Sequence, residues 1–140
     1  MFFLINPFVG AGNIKFGMTP DQVRLLLGGG FDSFKRTESS AFPCDYFEDL
    51  GVFFYYNSSG VLEAIEFTEP AAPEFEKKDL LKISLKDLIK LLSDKDKGLE
   101  IESDSLTSHA LGIGAYAPDA DEDPSLPAES IIIFEKGYYD

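Results

Sequence analysis

A chain of 140 residues suits one compact domain, or two small ones sharing a core. Its 44% apolar and 26% charged residues fit a globular protein, but 13 Phe, 6 Tyr, no Trp and a net charge of −13 are unusual. Such a field repels phosphate backbones and anionic membranes, which argues against nucleic-acid or membrane partners and favours a cationic one, a basic protein above all. Acidity that serves only solubility is the competing reading.

The charge is unevenly placed. Residues 77–98 hold seven Lys against four Asp, a balance of +3, and the remainder holds five basic against 21 acidic residues, a balance of −16. The single cysteine, Cys44, allows no internal disulfide and fits a reducing compartment as a small buried hydrophobe. The opening MFFLINPFVGAG has neither a basic n-region nor an h-region long enough for a signal peptide. No apolar run approaches the roughly 20 residues of a membrane helix. A cytoplasmic location is expected.

The first predicted helix lies in FGMTPDQVRLLLGG, Phe16 to Gly29. Thr19 suits the N-cap, Pro20 the first helical position, and Gln22 completes a capping box. Met18 and Val23 are spaced as a hydrophobic staple, Val23, Leu26 and Leu27 form an apolar stripe, and glycines 28–30 stop the helix. A preceding strand is expected near Phe2 to Ile5, its edge covered by the chain itself or by a second subunit. Strands follow at 41–47 and in a hairpin within LGVFFYYNSSGVLEAIEF, Leu50 to Phe67, around an Asn57–Gly60 turn. Residues 68–80, rich in Pro and charge, read as a connector.

The pattern then repeats. In LKISLKDLIKLLSD, Leu81 to Asp94, Ser84 is the cap, Ile83 and Leu88 the staple, and Leu88, Leu91 and Leu92 the stripe. A strand is expected at 99–102, and Leu111 to Phe134 forms a second hairpin with a longer acidic loop. Leu111-Gly112-Ile113 echoes Leu50-Gly51-Val52, Tyr116 echoes Tyr55, and Ile132-Ile133-Phe134 echoes Ile65-Glu66-Phe67. The predicted fold is α+β: one domain, residues 1–140, with an internal repeat at 14–67 and 81–134. Each copy supplies a helix and about three antiparallel strands. The strands fuse into one sheet with both helices on one face.

Strand alternation then assigns Val52 and Phe54 to the covered face and places Phe53, Tyr55, Tyr116 and Glu66 on the other. Exposed aromatics with carboxylates are the chemistry of a protein-binding surface. The alternative is that the connector and the acidic loop lie over these aromatics as ordinary core. The full candidate contact set is Asp45, Glu48, Asp49, Phe53, Tyr55, Glu66, Tyr116, Asp119, Asp121 and Asp123.

No catalytic or cofactor motif stands out. Asp119, Asp121 and Asp123 imitate the start of a calcium loop. However, the sixth position is Pro124 where Gly is needed, and the twelfth is Ser130 where Glu is needed, leaving weak calcium binding as the most such a loop offers. His109 is the lone histidine, without a GxSxG nucleophile or any Walker or GxGxxG glycine pattern to accompany it. A small enzyme is the lesser reading, and no cofactor is expected.

The phrase FGMTPDQVRLLLG resembles the helix opening of the small outer-membrane assembly lipoproteins related to BamE. The same helix-plus-sheet unit occurs in tandem in the β-lactamase inhibitor protein, whose open sheet face binds its enzyme. This chain has no lipobox cysteine near its start, so the resemblance does not extend to a lipid anchor. In size, charge and α+β texture the chain also resembles immunity proteins of bacterial polymorphic-toxin systems. That resemblance implies a cytoplasmic inhibitor neutralising a toxin domain, often a basic nuclease, by occlusion. An assembly or scaffold role of BamE type is the alternative.

Overall fold

The computed structural model describes residues 2–35, 37–38, 42–119 and 122–139. In chain order the elements are β1 (Phe2–Asn6), β2 (Gly10–Ala11), β3 (Ile14–Lys15), α1 (Pro20–Leu27), β4 (Asp32–Phe34), β5 (Cys44–Phe47), β6 (Val52–Tyr56), β7 (Leu62–Phe67), β8 (Ala72–Phe75), β9 (Lys78–Asp79), α2 (Leu85–Ser93), β10 (Glu100–Ile101), β11 (Ser105–Ser108), β12 (Ile113–Tyr116) and β13 (Ser130–Phe134). The fold is mixed helix and sheet, with sheet predominating.

Both helices start where local chemistry directs. The Thr19 hydroxyl accepts from the Gln22 N–H, and the Gln22 side chain accepts from the Thr19 N–H at 2.9 Å, closing the capping box. Ser84 caps α2 by accepting from the Asp87 N–H. These contacts satisfy amide groups that the first helical turn leaves orphaned. Val23, Leu88 and Leu92 are fully buried, whereas Leu26 is 44% exposed, so only part of the expected α1 stripe turns inward.

The larger sheet has eight strands in the order β10-β11-β12-β13-β7-β6-β5-β4, every neighbouring pair antiparallel. β7 and β13 meet at its centre, and from there each half runs outward through four strands rather than three. The unforeseen strands are β4 and β11. Their sequences, Asp-Ser-Phe and Ser-Leu-Thr-Ser, carry too little apolar alternation to announce themselves. Ala41, where the 41–47 strand was expected to begin, lies outside the described residues; β5 begins at Cys44.

Register also corrects one correspondence. Val52 faces Phe67 and Ile113 faces Ile133, so with Val52 matched to Ile113 as expected, the register matches Phe67 to Ile133, not Phe134, and Glu66 to Ile132.

Residues 68–80 are not a bare connector. They contain β8 and β9, which join the N-terminal strands in a second, five-stranded sheet of order β3-β2-β1-β8-β9. β1 pairs in parallel with β8, so the chain itself covers the N-terminal strand. Along β8 the residues alternate between half-buried and buried, which the Pro and Glu content had masked.

One large cluster joins these layers. It contains Val23 of α1, Leu85, Leu88 and Leu92 of α2, Val52, Phe54, Ile65, Phe67, Ile113, Ile131 and Ile133 of the large sheet, and Phe3, Ile5 and Phe75 of the small one. Phe3 meets Phe67 with ring centroids 5.2 Å apart. Burying such side chains stabilises by roughly 1.5–3 kcal/mol each.

Two glycines shape the strand entries. Gly51 and Gly112 precede β6 and β12 with φ of +72° and +68°, and a Cβ on either would strike backbone: Thr68 O at 2.4 Å and Phe134 O at 2.8 Å. Each donates to the carbonyl four residues earlier, Phe47 and Ser108, and each accepts from the residue that a Cβ would strike. Only glycine combines this left-handed backbone with that approach.

Candidate functional site

Register fixes which side chains share the face of the large sheet opposite the main cluster. Tyr46 faces Phe53, Phe53 faces Glu66, Glu66 faces Ile132, Ile132 faces Gly114, and Gly114 faces Thr107. Residues two apart join the same side, which adds Asp32, Phe34, Cys44, Tyr55, Ala64, Glu100, Ser105, Tyr116, Ser130 and Phe134. The expected grouping of Phe53, Tyr55, Glu66 and Tyr116 on one face therefore agrees with the strand register.

The β4–β6 half of this face is an aromatic shelf. Phe53 stacks on Tyr46 at 4.1 Å between centroids, lies 6.1 Å from Tyr55, and takes the edge of Phe34 at 6.3 Å. Phe34 is 44% exposed, and Tyr46 and Phe53 are half-buried. Beside the shelf, Cys44, Tyr55, Ala64 and Phe134 form a small buried cluster beneath Phe53, Ile132 and Tyr138. Cys44 is buried there and in no disulfide, as expected. The Tyr55 hydroxyl donates to Glu66 Oε1 at 2.6 Å. Tyr55 is only 6% exposed, so it supports the shelf and orients Glu66 rather than offering its own surface.

The β10–β12 half is built differently. Gly114, Ser105 and Thr107 stand where the first half places Phe53, Cys44 and Tyr46. Small side chains there leave a depression of about 250 Å³, lined also by Glu66, Tyr116, Ile132 and Tyr139. Tyr116 is 46% exposed. At the neighbouring edge His109 lies 3.2 Å from Glu100 and packs edge-on to Tyr139.

Neither long segment was found where the competing reading put it. The 68–80 segment builds the second sheet, whose Phe75 belongs to the main cluster. The acidic loop docks on the start of α2, where the Leu85 and Lys86 amides donate to the carbonyls of Leu126 and Pro124. Asp119 and Asp123 are exposed on that loop, and hydrogen bonds from Ser125 hold the Asp123 carboxyl below its usual range. Asp121 lies outside the described residues. Glu48 and Asp49 are exposed at the β5–β6 turn.

Asp45 is a correction. It lies on the opposite, core side of β5, is completely buried, and accepts from Arg24 Nε and Nη2, both at 2.8 Å, and from the Ser33 hydroxyl at 2.6 Å. Those bonds raise the Arg24 pKa, while burial and the Asp45 charge push the Tyr56 phenol up. An acid with its lone pairs so engaged anchors α1 to the sheet and leaves no surface for a partner. Among the described residues, no group of three His, Cys, Asp or Glu is placed to hold a metal, and no helix is long and apolar enough to cross a membrane.

Sequence reasoning missed Phe34, Tyr46, Ile132 and the Tyr138–Tyr139 pair. Tyr46 was within reach, since it is out of phase with the buried Phe47. Comparison with protein-family models, with curated proteins and with solved structures finds no match to this chain.

Proposed function

We propose that this chain is a non-enzymatic binding protein that docks a basic protein on the aromatic face of its eight-stranded sheet. In this reading it is a cytoplasmic immunity protein, neutralising a toxin domain by occlusion. The observation that carries the reading is the composition of that face. Phe34, Tyr46, Phe53 and Tyr116 are exposed or half-exposed on it, Asp32, Glu66 and Glu100 stand among them, and no Lys or Arg occurs among its strand residues. Aromatics supply burial at low entropy cost, and carboxylates steer a cationic partner.

The architecture behind the face is a duplicated module with both helices on the far side. Several features support this. The strand order is mirrored about β7 and β13. Gly51 and Gly112 make equivalent hydrogen bonds. The buried residues of both helices belong to the same cluster, with Val52 and Ile113.

The test is co-expression with a toxin domain encoded beside this chain. Wild type restores growth, whereas Phe53→Asp and Tyr116→Asp, folded by circular dichroism, do not. The association rate falls steeply between low and physiological salt. Full neutralisation by both variants, or an on-rate indifferent to salt, would overturn the reading. A second reading, a scaffold of BamE type, rests on the resemblance of the GMTPDQ phrase alone. Finding the native protein in envelope fractions would select it.

A further inference from the structure

The two halves of the face differ at one place in a way that suggests what the partner brings. Phe53 fills the first half, and Gly114 stands in its counterpart. A Cβ on Gly114 would already touch Ile132 Cγ2 at 3.0 Å, so the small residue keeps the depression open down to the sheet. Its volume of about 250 Å³ is smaller than the roughly 300 Å³ and upward of small-molecule pockets. That space suits one long side chain better than a cofactor.

The lining specifies the chemistry. Tyr116 and Tyr139 supply aromatic walls, and Ser105, Thr107 and Ser130 supply hydroxyls. Glu66 stands at the inner end. Tyr55 fixes its Oε1, which leaves Oε2 to accept, and among the described residues no cation pairs with it. A planar cation that stacks on an aromatic ring while donating to a carboxylate matches both features. An ammonium also sits over rings, as Lys136 does over Phe8 at 5.7 Å, but it has neither the planar face to stack nor the forked N–H groups to reach a carboxylate at the same time.

Resting on the protein-binding reading above, we infer that this hollow receives an arginine side chain of the partner, its guanidinium against Tyr116 and its N–H groups directed at Glu66. The hollow thereby selects arginine over lysine, and the shelf around Phe53 supplies the apolar contact beside it.

The probe is the peptide acetyl-Gly-Arg-Gly-amide, titrated into the ¹⁵N-labelled full chain. The lysine peptide and the uncharged, isosteric citrulline peptide serve as controls. Shifts should concentrate on amides 105–107, 113–116 and 130–132, with the arginine peptide binding at least tenfold more tightly than citrulline. Glu66→Gln and Thr107→Tyr should each weaken binding at least tenfold. Thr107→Tyr restores the residue found in the first half and avoids the crowding that any side chain at 114 brings.

Equal affinity for arginine and citrulline, or shifts spread over the acidic loop, would overturn the inference. If Thr107→Tyr still neutralises a toxin while Phe53→Asp does not, the hollow is refuted and the docking face survives. If neither variant affects neutralisation, the docking face itself fails.

Discussion

Removing either partner of the Arg24–Asp45 pair should be costly, but unequally so. Asp45 is completely buried, whereas the Arg24 side chain is 29% exposed and has Asp21 within 3.8 Å. Arg24→Ala strands a buried carboxylate and should cost about 3–5 kcal/mol, as breaking a buried pair does. Asp45→Ala leaves a cation that still reaches water, so about 2–4 kcal/mol is expected after allowing for screening. For 140 residues each 1 kcal/mol shifts Tm by roughly 3–4 °C. The two losses correspond to about 10–17 °C and about 7–14 °C.

The second half supplies the control. Ile89 stands as far beyond Ser84 as Arg24 beyond Thr19, and Leu106 faces Ala115 as Asp45 faces Phe54. The double variant Arg24→Ile/Asp45→Leu should therefore recover to within about 1–2 kcal/mol of wild type, the residue being the unpaired Tyr56 hydroxyl. Scanning calorimetry with urea unfolding measures all three. Additive losses, with the double variant the least stable, would refute both the pair's coupling and the equivalence of the two positions.

Gly51→Ala and Gly112→Ala should each destabilise by several kcal/mol in urea unfolding, because the left-handed backbone and a sub-3 Å carbonyl approach penalise Cβ together. Similar losses support equivalent roles, and a tolerated alanine at either site contradicts them. Asp96 accepts from the Ser108 hydroxyl at 2.8 Å and from the Gly98 N–H, bonds that hold its carboxyl below the ordinary range against the opposing effect of burial. A depressed pKa contributes stability that is complete above the ordinary carboxylate value near 4 and lost as pH falls through the folded value. The stability difference between wild type and Asp96→Asn should thus be constant from pH 7 to 5 and shrink below about 4. A difference that grows on acidification would contradict this assignment.

What could be read from the sequence was local. Thr19, Gln22 and Ser84 cap their helices through contacts three residues away, and Asn57 closes its turn by accepting from Ser59 and Val61. The central strands β6, β7, β12 and β13 carry enough aliphatic and aromatic residues to be seen. The second sheet was hidden because β1 pairs in parallel with β8 across most of the first half, a match no local pattern encodes. The same reason hid the role of Asp45: nothing near it marks it as buried, since its cation arrives from α1. Tyr55 was placed on the right face, but its burial depends on Phe134 and Tyr138, from the far end of the chain. The hollow at Gly114 becomes visible only once strand register sets Gly114 between Thr107 and Ile132.

Hydroxyl-radical footprinting of the complex with a basic toxin domain tests the docking face most directly, since it reads side-chain accessibility residue by residue. Phe34, Tyr46, Phe53 and Tyr116 should lose reactivity on binding, while Leu25 and Leu26, exposed on α1, keep theirs. Protection of the α1 leucines with the four aromatics still reactive would place the partner on the helical side and contradict the account.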